Sequence, residues 1–188
     1  MVNNDAGRAV AGGKMEPEIQ WYAIYTNARH EKAVAQQLGE RSIETFLPLY
    51  RSVHRWKDRR KVVELALFPS YVFVKIAIQE RIRVLQVPGV VHIVGFNGSF
   101  PALPEQEIAR LRNGLENHLY AEPHPYLRVG RKVRVARGPM AGAEGILTRK
   151  KDKYRVVISL DVLMRSVAVE IDGADLESVG SDRPVLSN

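Results

Sequence analysis

Residues 67–76 of the chain read LFPSYVFVKI, and this stretch limits the choice of fold more than any other. After the proline and serine of a turn, residues 71–76 are almost continuously apolar, β-branched or aromatic, which is typical of a central strand covered on both faces. Because side chains alternate along a strand, Tyr71 and Phe73 share one face, and Val72 shares the other face with Val74. The stretch therefore predicts a sheet that needs a cover on each side.

The segment before this strand predicts another strand and a helix. Residues 21–25 form a short apolar run that opens the ordered part of the chain. Asn27 is a suitable N-cap, so we expect a helix from there to about Ser42, with Val34 and Leu38 four residues apart on one face.

Two further strands are expected at residues 45–53 and 62–67, joined by a polar tip. Residues 51–61 hold six Arg or Lys and one Asp. Charge runs of this kind are usually solvated surface, but Trp56 lies among the guanidinium groups and can stack on exposed bases or on its neighbours. A solvated hairpin and a nucleic-acid contact both agree with these residues.

Two helices and a second hairpin complete the first half of the chain. We expect a short helix at residues 79–86 and a hairpin around Asn97-Gly98, a strong two-residue turn signal. Pro104 suits the first position of a last helix. Its apolar stripe consists of Ile108, Leu111 and Leu115. Strands interleaved with helices predict an α+β domain over residues 19–120.

The character of the sequence changes after residue 120. The two prolines within residues 121–127 predict a stiff, extended linker. Residues 128–180 contain short alternating or β-branched runs separated by turn signals, which predict a small closed β-barrel. Residues 1–18 and 181–188 lack periodicity and are expected to be tails.

Composition and motif content argue against catalysis. The chain has no cysteine, and its five histidines show no metal-ligand spacing. It contains no P-loop, dinucleotide fingerprint or nucleophile elbow. We therefore expect a protein that is not an enzyme and that uses neither a metal nor a cofactor. Without a secretory signal or an apolar run long enough for a membrane, a cytoplasmic monomer is expected.

Both halves of the chain are basic. Residues 19–120 carry 14 basic and 9 acidic groups, and residues 128–180 carry 11 and 7. This balance suits proximity to nucleic acid or to an anionic assembly, although it also serves solubility.

Four motifs in one order resemble the NusG family of transcription factors. Residues 133–147 resemble its KOW motif, in which a Gly-Pro turn at Gly138 follows one strand and Gly145 opens the next. A tight barrel turn favours glycine because it needs positive φ and close backbone approach. The motifs of the first domain lie at residues 21–26, 67–74 and 88–96.

The resemblance covers residues 19–179 and implies the fold. It implies an N-terminal NusG-type domain, with an antiparallel sheet flanked by helices, followed by a KOW-type SH3-like β-barrel. The details are most similar to the operon-specific paralogues, RfaH and the UpxY antiterminators. Residues 166–170 depart from the general NusG pattern, which usually has a Thr-Pro-Val-Glu-like run there.

The resemblance also implies an apolar hollow for the clamp helices of RNA polymerase. A partner helix in an aromatic groove is a familiar way to bury such a face, although the same side chains also suit an ordinary core. The residues of this hollow would be Tyr25, Phe68, Tyr71, Phe73, Ile108 and Leu111.

Further contacts are implied on the first domain. Arg81 and Arg83 lie where RfaH touches the polymerase gate loop, and a solvated helix face explains them equally well. Asn27 and Ala28 replace basic residues of RfaH, so its DNA specificity does not carry over. Contact with non-template or upstream DNA is implied for Arg29, His30, Lys32, Arg55, Trp56, Arg59 and Arg60.

In the barrel, an apolar turn between two strands consists of Val162, Leu163, Met164 and Arg165. The corresponding family loop binds a ribosomal small-subunit protein, or termination factor Rho in general NusG proteins. Exposed Leu and Met side chains equally well cap the end of a small barrel.

The implied function is transcription elongation or antitermination: the chain would bind the clamp helices, suppress pausing or termination, and recruit a further factor through its barrel. The rivals are a general NusG-type factor and a ribosome-associated KOW protein that binds RNA. RfaH can refold its second domain as a helical hairpin, but three glycines and Pro139 in residues 138–145 are poor helix formers. We therefore expect a β-barrel and an open polymerase-binding face.

Overall fold

The central strand predicted from residues 71–76 lies inside an antiparallel sheet. The computed structural model describes residues 17–55, 60–125, 130–150 and 153–179. In this sheet the strand order is β2-β5-β1-β6, so β5 has a neighbour on each side. The bounds are β1 Ile19–Thr26, β2 Glu44–Phe46, β5 Tyr71–Ala77 and β6 Val90–Ile93.

Helices α1 (Glu31–Glu40) and α2 (Arg81–Leu85) cover one face of this sheet. Val34 and Leu38 of α1 are fully buried there, as their spacing predicted. The expected start of α1 was wrong. The N–H of Asn27 donates to the carbonyl of Gly89 (2.9 Å), and Arg29 adopts a φ of 64°, so the chain turns before the helix begins.

Helix α3 (Glu105–Glu116) covers the opposite face, with Pro104 as its N-cap. Ile108 and Leu111 belong to one apolar cluster with Phe68 and Phe73. The sheet is therefore covered on both sides, as the continuous apolar character of β5 required.

The basic hairpin forms a separate two-stranded sheet of β3 (Leu49–Arg55) and β4 (Arg60–Ala66). The single strand expected at residues 45–53 is divided, because the chain leaves the main sheet at Leu47 and Pro48. The second hairpin turn is confirmed: the N–H groups of Phe96 and Ser99 donate to each other's carbonyls at 2.9 and 3.0 Å.

The C-terminal half is all β, as predicted, with strand order β12-β8-β9-β10-β11-β7. Its inward residues include Val133, Val135, Val156 and Val169, all buried. The chain is therefore an α+β domain followed by a small β-barrel, in agreement with the expected fold class. The bounds are β7 Ala121–His124, β8 Lys132–Val135, β9 Glu144–Lys150, β10 Lys153–Leu160, β11 Arg165–Glu170 and β12 Leu176–Ser178.

Strand β7 lies in the segment that we expected to be a linker. Residues 121–124 are extended, as their prolines indicated, but they pair antiparallel with β11 and continue the barrel's sheet. The prolines therefore indicated the extended backbone of this segment, but they did not indicate its pairing with β11.

The barrel packs against α3, so the expectation of an open face was wrong for this structure. Met140 of the barrel belongs to the same buried cluster as Phe68, Ile108 and Leu111. The amide nitrogen of Asn113 donates to the carbonyl of Pro139 at 2.7 Å, across the two halves. The second domain is thus a β-barrel that also covers the apolar residues of α3.

Glycine was expected in the KOW motif for two reasons, a positive φ and a close backbone approach. Each of the two glycines shows one of them. Gly138 has a φ of 86° and no atom near the position of a Cβ. At Gly145, a Cβ would lie 2.5 Å from the carbonyl oxygen of Val157 on the neighbouring strand. Gly138 therefore serves a left-handed turn, and Gly145 serves a close backbone approach.

We predict that Gly145→Ala destabilises the protein by about 1–3 kcal/mol, because the backbone of β10 cannot move away without loss of pairing. Chemical denaturation followed by circular dichroism measures the change. The matched control is Gly138→Asn, since Asn tolerates the left-handed region and meets open space there. Equal losses for the two variants would contradict this explanation.

Candidate functional site

One apolar surface shared by the two halves is built from β5, the turn before it and α3. Strand alternation puts Phe73 on the side of the sheet that faces α3, and Phe68 reaches the same side from the turn. Their rings meet edge to face, 5.7 Å between centroids. Phe68 is 1% exposed, Ile108 2% and Leu111 7%. We call these four residues the aromatic face.

A buried carboxylate holds the turn that leads into β5. Glu31, at the start of α1, accepts a hydrogen bond from the N–H of Ser70 at 2.7 Å. Ser70 adopts a φ of 67°, and its carbonyl accepts from the N–H of Thr26 at 2.9 Å. These bonds fix the direction in which β5 leaves the turn, and with it the position of Tyr71.

Tyr25 and Tyr71 lie at the edge of the aromatic face and are partly exposed. Their ring centroids are 5.3 Å apart, and the rings meet edge to face. The ring of His92 stacks on Tyr25 at 5.2 Å. Sequence analysis missed His92, because only the pairing of β1 with β6 brings it opposite Tyr25.

The barrel lies over the aromatic face. A cavity of about 470 Å³ between the two halves is lined on one side by Phe68, Ile108 and Leu111. On the other side its lining includes Met140, Leu160 and Val167. The sequence-predicted residues are therefore brought together, but Phe68, Ile108 and Leu111 are covered and only the two tyrosines remain at the surface.

Gly114 lies where α3 and the barrel come close together. It is buried on α3, and a Cβ there would lie 2.5 Å from the Met140 sulfur. A side chain at this position would meet Met140 before the helix and the barrel could come together. The glycine that weakens α3 as a helix therefore forms a notch for Met140.

Charges surround the apolar surface. Lys75 forms an ion pair with Glu105 at 2.9 Å, and the hydrogen bond from Lys75 lowers the pKa of that carboxyl. The guanidinium of Arg112 lies 5.5 Å from the ring centroid of Trp21. At the cavity, desolvation raises the pKa of the Glu107 carboxyl, against the opposing effect of Arg110. A partner bound at this face would therefore contact apolar groups at its centre and ionic groups at its rim.

The two arginines expected at a polymerase gate loop have internal partners. Arg83 forms an ion pair with Glu80 at 3.1 Å, and its Nη2 donates to the carbonyl of Arg41. Arg81 lies 6.0 Å from the ring of Phe100. Both side chains are largely exposed, so these contacts join α2 to its neighbours and leave the charges at the surface.

The basic residues divide between the described and undescribed parts of the chain. Arg29, His30 and Lys32 are exposed around the start of α1. Trp56 and Arg59, and the side chains of Arg55 and Arg60, lie outside the described residues. The described neighbour Arg51 pairs with Glu64 across the hairpin at 3.8 Å.

Comparison with known proteins assigns the chain to a family. A family model described as "Transcription termination factor nusG" matches residues 19–112, which is half of the chain and contains β1, β5 and most of α3. The chain belongs to the NusG family. Its relatives are named transcription termination/antitermination proteins, so the family fixes the general field of activity.

Full-length relatives extend this match across both halves. The NusG protein of Helicobacter pylori is 24% identical over 174 residues, covering 86% of this chain and 99% of the relative. NusG of Vibrio cholerae is 27% identical over 177 residues, covering 87% and 97%. NusG of Pseudomonas aeruginosa is 26% identical over 174 residues, covering 85% and 98%.

A solved structure has the same fold. It is described as "Domain interaction in Thermotoga maritima NusG", is 19% identical, and covers 87% of this chain and 98% of its own. Its TM-score of 0.57 supports a common fold for the two chains.

In this NusG-family barrel, the apolar turn at residues 162–165 is divided between core and surface. Leu163 is buried in the cluster that contains Met140. Met164 is 56% exposed and adopts a φ of 50°, and Arg165 is exposed. Burial of Leu163 agrees with a cap on the barrel, while Met164 and Arg165 are accessible to a partner.

The described parts of this NusG-family chain hold no group of three or more His, Asp or Glu side chains arranged for a metal ion. None of the helices in these parts has the length and apolar character needed to cross a lipid bilayer.

We predict that Gly114→Leu opens the contact between the two halves without harming α3. Leucine gains about 1 kcal/mol of helix propensity over glycine, but its side chain occupies the notch that Met140 fills. Because the chain has no cysteine, spin labels at Ala33→Cys and Ala136→Cys report the distance between the halves by pulsed electron paramagnetic resonance. The distribution should broaden or move to longer distances.

Gly39→Leu is the matched control for this variant. Gly39 lies in α1, and no atom is within 4 Å of the position of its Cβ. The control gains the same propensity and should leave the distance unchanged. An unchanged distribution for Gly114→Leu would show that the notch does not hold the barrel.

Proposed function

We propose that this NusG-family chain is a transcription elongation or antitermination factor that binds the clamp helices of RNA polymerase through the aromatic face. The observation that carries the proposal is an apolar surface, formed by Phe68, Ile108 and Leu111, that another part of the same chain covers. Two half-exposed tyrosines, Tyr25 and Tyr71, extend this surface into solvent.

The chemistry of the surface suits a helical partner. Side chains of β5, of the turn before it and of α3 form an apolar lining, which an amphipathic helix fills with residues spaced by three and four positions. Burial of apolar surface contributes about 25 cal/mol per Å². The ionic groups at the rim, including Lys75 and Arg112, suit an acidic or polar flank on that partner.

Polymerase binding through this face requires the barrel to leave it. The measured affinity is then the intrinsic affinity multiplied by the fraction of molecules that are open. On the polymerase, a factor that prefers the active state by about 1.4 kcal/mol changes the pausing equilibrium tenfold. In the proposed activity, the barrel and polymerase compete for the aromatic face, and no covalent bond is made or broken.

The released barrel would then recruit a further factor. We propose Met164 and Arg165 as its accessible contacts, with Val162 partly buried and Leu163 packed behind them. A ribosomal small-subunit protein or Rho is the partner that the family suggests. We keep the operon-specific RfaH or UpxY type as the proposed subtype, with a general NusG role as the alternative.

We divide the chain for this function into a polymerase-binding domain at residues 19–120 and a barrel domain at residues 128–180. Strand β7 connects the two domains and pairs with β11 of the barrel. Arg81 and Arg83 are proposed to contact the gate loop, and the basic residues around α1 and in the hairpin are proposed to contact DNA. A role on bacterial polymerase implies a cytoplasmic protein.

We predict that Tyr71→Ala weakens polymerase binding, because loss of a buried interface aromatic costs about 2 kcal/mol or more. Phe96→Ala is the matched control, since Phe96 is 80% exposed on the hairpin after β6. Affinity for purified core polymerase, measured by surface plasmon resonance, should fall only for Tyr71→Ala. Unchanged affinity in a folded Tyr71→Ala variant would overturn its assignment.

We also predict that Met140→Ala strengthens polymerase binding. Met140 belongs to the cover and not to the proposed polymerase surface, so its removal weakens only the closed arrangement. While closed molecules predominate, each 1.4 kcal/mol lost from that contact raises the open fraction and the measured affinity about tenfold. No gain in affinity would indicate that barrel and polymerase do not compete.

Neutralisation of Arg55, Arg59 and Arg60 should flatten the salt dependence of binding to an elongation complex. Each lost phosphate contact lowers the slope of log affinity against log salt by about 0.7–0.9. Arg51→Gln is the control on the same hairpin, because Arg51 is already paired with Glu64. An unchanged slope in the triple variant would leave the hairpin as solvated surface.

A ribosome-associated protein that binds RNA is the rival from another class, suggested by the KOW motif and the charge. RNA binding does not require the aromatic face. Capture of purified polymerase before and after nuclease treatment separates the two: polymerase retained after nuclease favours the proposed function, and loss of all captured protein favours the rival.

A further inference from the structure

Strand β7 is the outermost strand of the barrel's sheet and has the features of an exchangeable strand. It is only four residues long, and it contains Pro123. The N–H of Glu170 on β11 donates to the carbonyl of Tyr120 at 3.0 Å. By antiparallel alternation, the Val167–Pro123 pair is then a non-bonded pair, so the N–H that proline lacks would point away from β11.

A buried charge ties β7 to the barrel. The side chain of Arg155 on β10 is 5% exposed, and its Nη1 donates to the carboxylate of Glu122 on β7. Its Nη2 lies 3.4 Å from Glu170 on β11, and its guanidinium lies 5.5 Å from the ring of Tyr120. The hydrogen bond with Glu122 raises the pKa of Arg155.

A guanidinium this deeply buried requires carboxylate partners, and removal of one partner is costly. One of its carboxylates comes from β7 and the other from the barrel itself. If β7 leaves, the site therefore selects a replacement that again supplies a carboxylate at the position of Glu122.

Strand β7 also sets the length of the connection between the two halves. Helix α3 ends at Glu116, and the chain reverses at His118, which has a φ of 58°. Tyr120 is already bonded to β11, so only residues 117–119 join α3 to the barrel's sheet. If β7 detaches, residues 120–125 are added to this connection, and six residues span about 20 Å when extended.

We propose that the edge of β11 now paired with β7 is an acceptor for an extended segment of another protein, with a carboxylate side chain opposite Ala168, and that this segment displaces β7. Displacement lengthens the connection and releases the barrel from α3. The partner strand is antiparallel to β11 and takes over the register that residues 121–124 hold now.

The partner must overcome the advantage of an intramolecular strand. A short tether gives β7 an effective concentration in the millimolar range. A partner gains over β7 by having no proline and by extending the pairing as far as Arg165, which lies beyond the register that β7 covers. Coupling between two such events is reciprocal, so loss of the α3 contact also favours the exchange.

The experiment uses the full chain labelled with ¹⁵N and a synthetic peptide as the probe. The peptide has the sequence of residues 119–125 with valine in place of both Pro123 and Pro125, to raise strand propensity. Addition at millimolar concentration should move the amide peaks of residues 165–170 and those of residues 108–114 along one saturation curve. The same peptide with lysine in place of Glu122 should bind at least tenfold more weakly.

Three results would overturn the proposal. If no peak of β11 moves, its edge is not an acceptor. If β11 responds while α3 does not, strand exchange does not release the barrel. Equal binding of the glutamate and lysine peptides would remove the role of Arg155.

A disulfide supplies the control. Ala121 and Val169 are opposed in a pair that alternation makes non-bonded, with a Cα separation near 4.5 Å, which suits a disulfide. The chain has no other cysteine. Oxidised Ala121→Cys/Val169→Cys should not respond to the peptide, and reduction should restore the response. An oxidised protein that still responds would overturn displacement of β7.

Glu122→Gln provides a second variant if the cysteine pair does not fold. It weakens β7 without changing its shape, so the peptide should bind this variant at least threefold more tightly than it binds the unchanged chain. Equal or weaker binding would overturn the exchange. No polymerase is present in these measurements, so their failure leaves the proposed polymerase contact untouched.

Discussion

Phe68, Ile108 and Leu111 form an apolar surface that must be removed from water, and this requirement organises the contact between the two halves. Neither half covers it with its own elements: the sheet already has α3 on that side, and α3 carries two of the three residues. The barrel supplies the missing cover with Met140, Leu160 and Val167. Gly114 follows from the same constraint, because only a residue without a side chain lets Met140 come this close.

The same requirement explains why one surface can serve two partners. An apolar face that is stable in water only when covered favours whichever cover binds more strongly, and the internal one has the advantage of being tethered. The cavity of about 470 Å³ and the ionic groups at the rim indicate that the fit between barrel and face is incomplete. A contact of this kind is strong enough to hold a domain and weak enough to be exchanged.

Sequence patterns predicted the features that depend on local order, and missed those that depend on distant residues. The alternation at residues 71–76 predicted the central strand, and the spacing of Val34 and Leu38 predicted the buried side of α1. Asn27 was wrongly expected to start that helix, because its N–H donates to the carbonyl of Gly89, 62 positions away. Strand alternation put Tyr71 and Phe73 on one face, but it did not indicate His92, since its stacking on Tyr25 depends on pairing between β1 and β6.

The segment at residues 121–124 shows what a composition-based reading leaves out. Its prolines correctly indicated an extended backbone, but pairing with β11 and the bond between Glu122 and Arg155 turn that backbone into part of the barrel. In the proposed exchange this segment has a paired state, which keeps the buried ion pair with Arg155, and a displaced state, in which the partner strand supplies the carboxylate instead. Because the length of the connection differs between those states, the affinity of the barrel for a strand and the openness of the aromatic face are linked quantities. If a bound strand raises the affinity of the aromatic face for polymerase by some factor, polymerase must raise the affinity of β11 for that strand by the same factor.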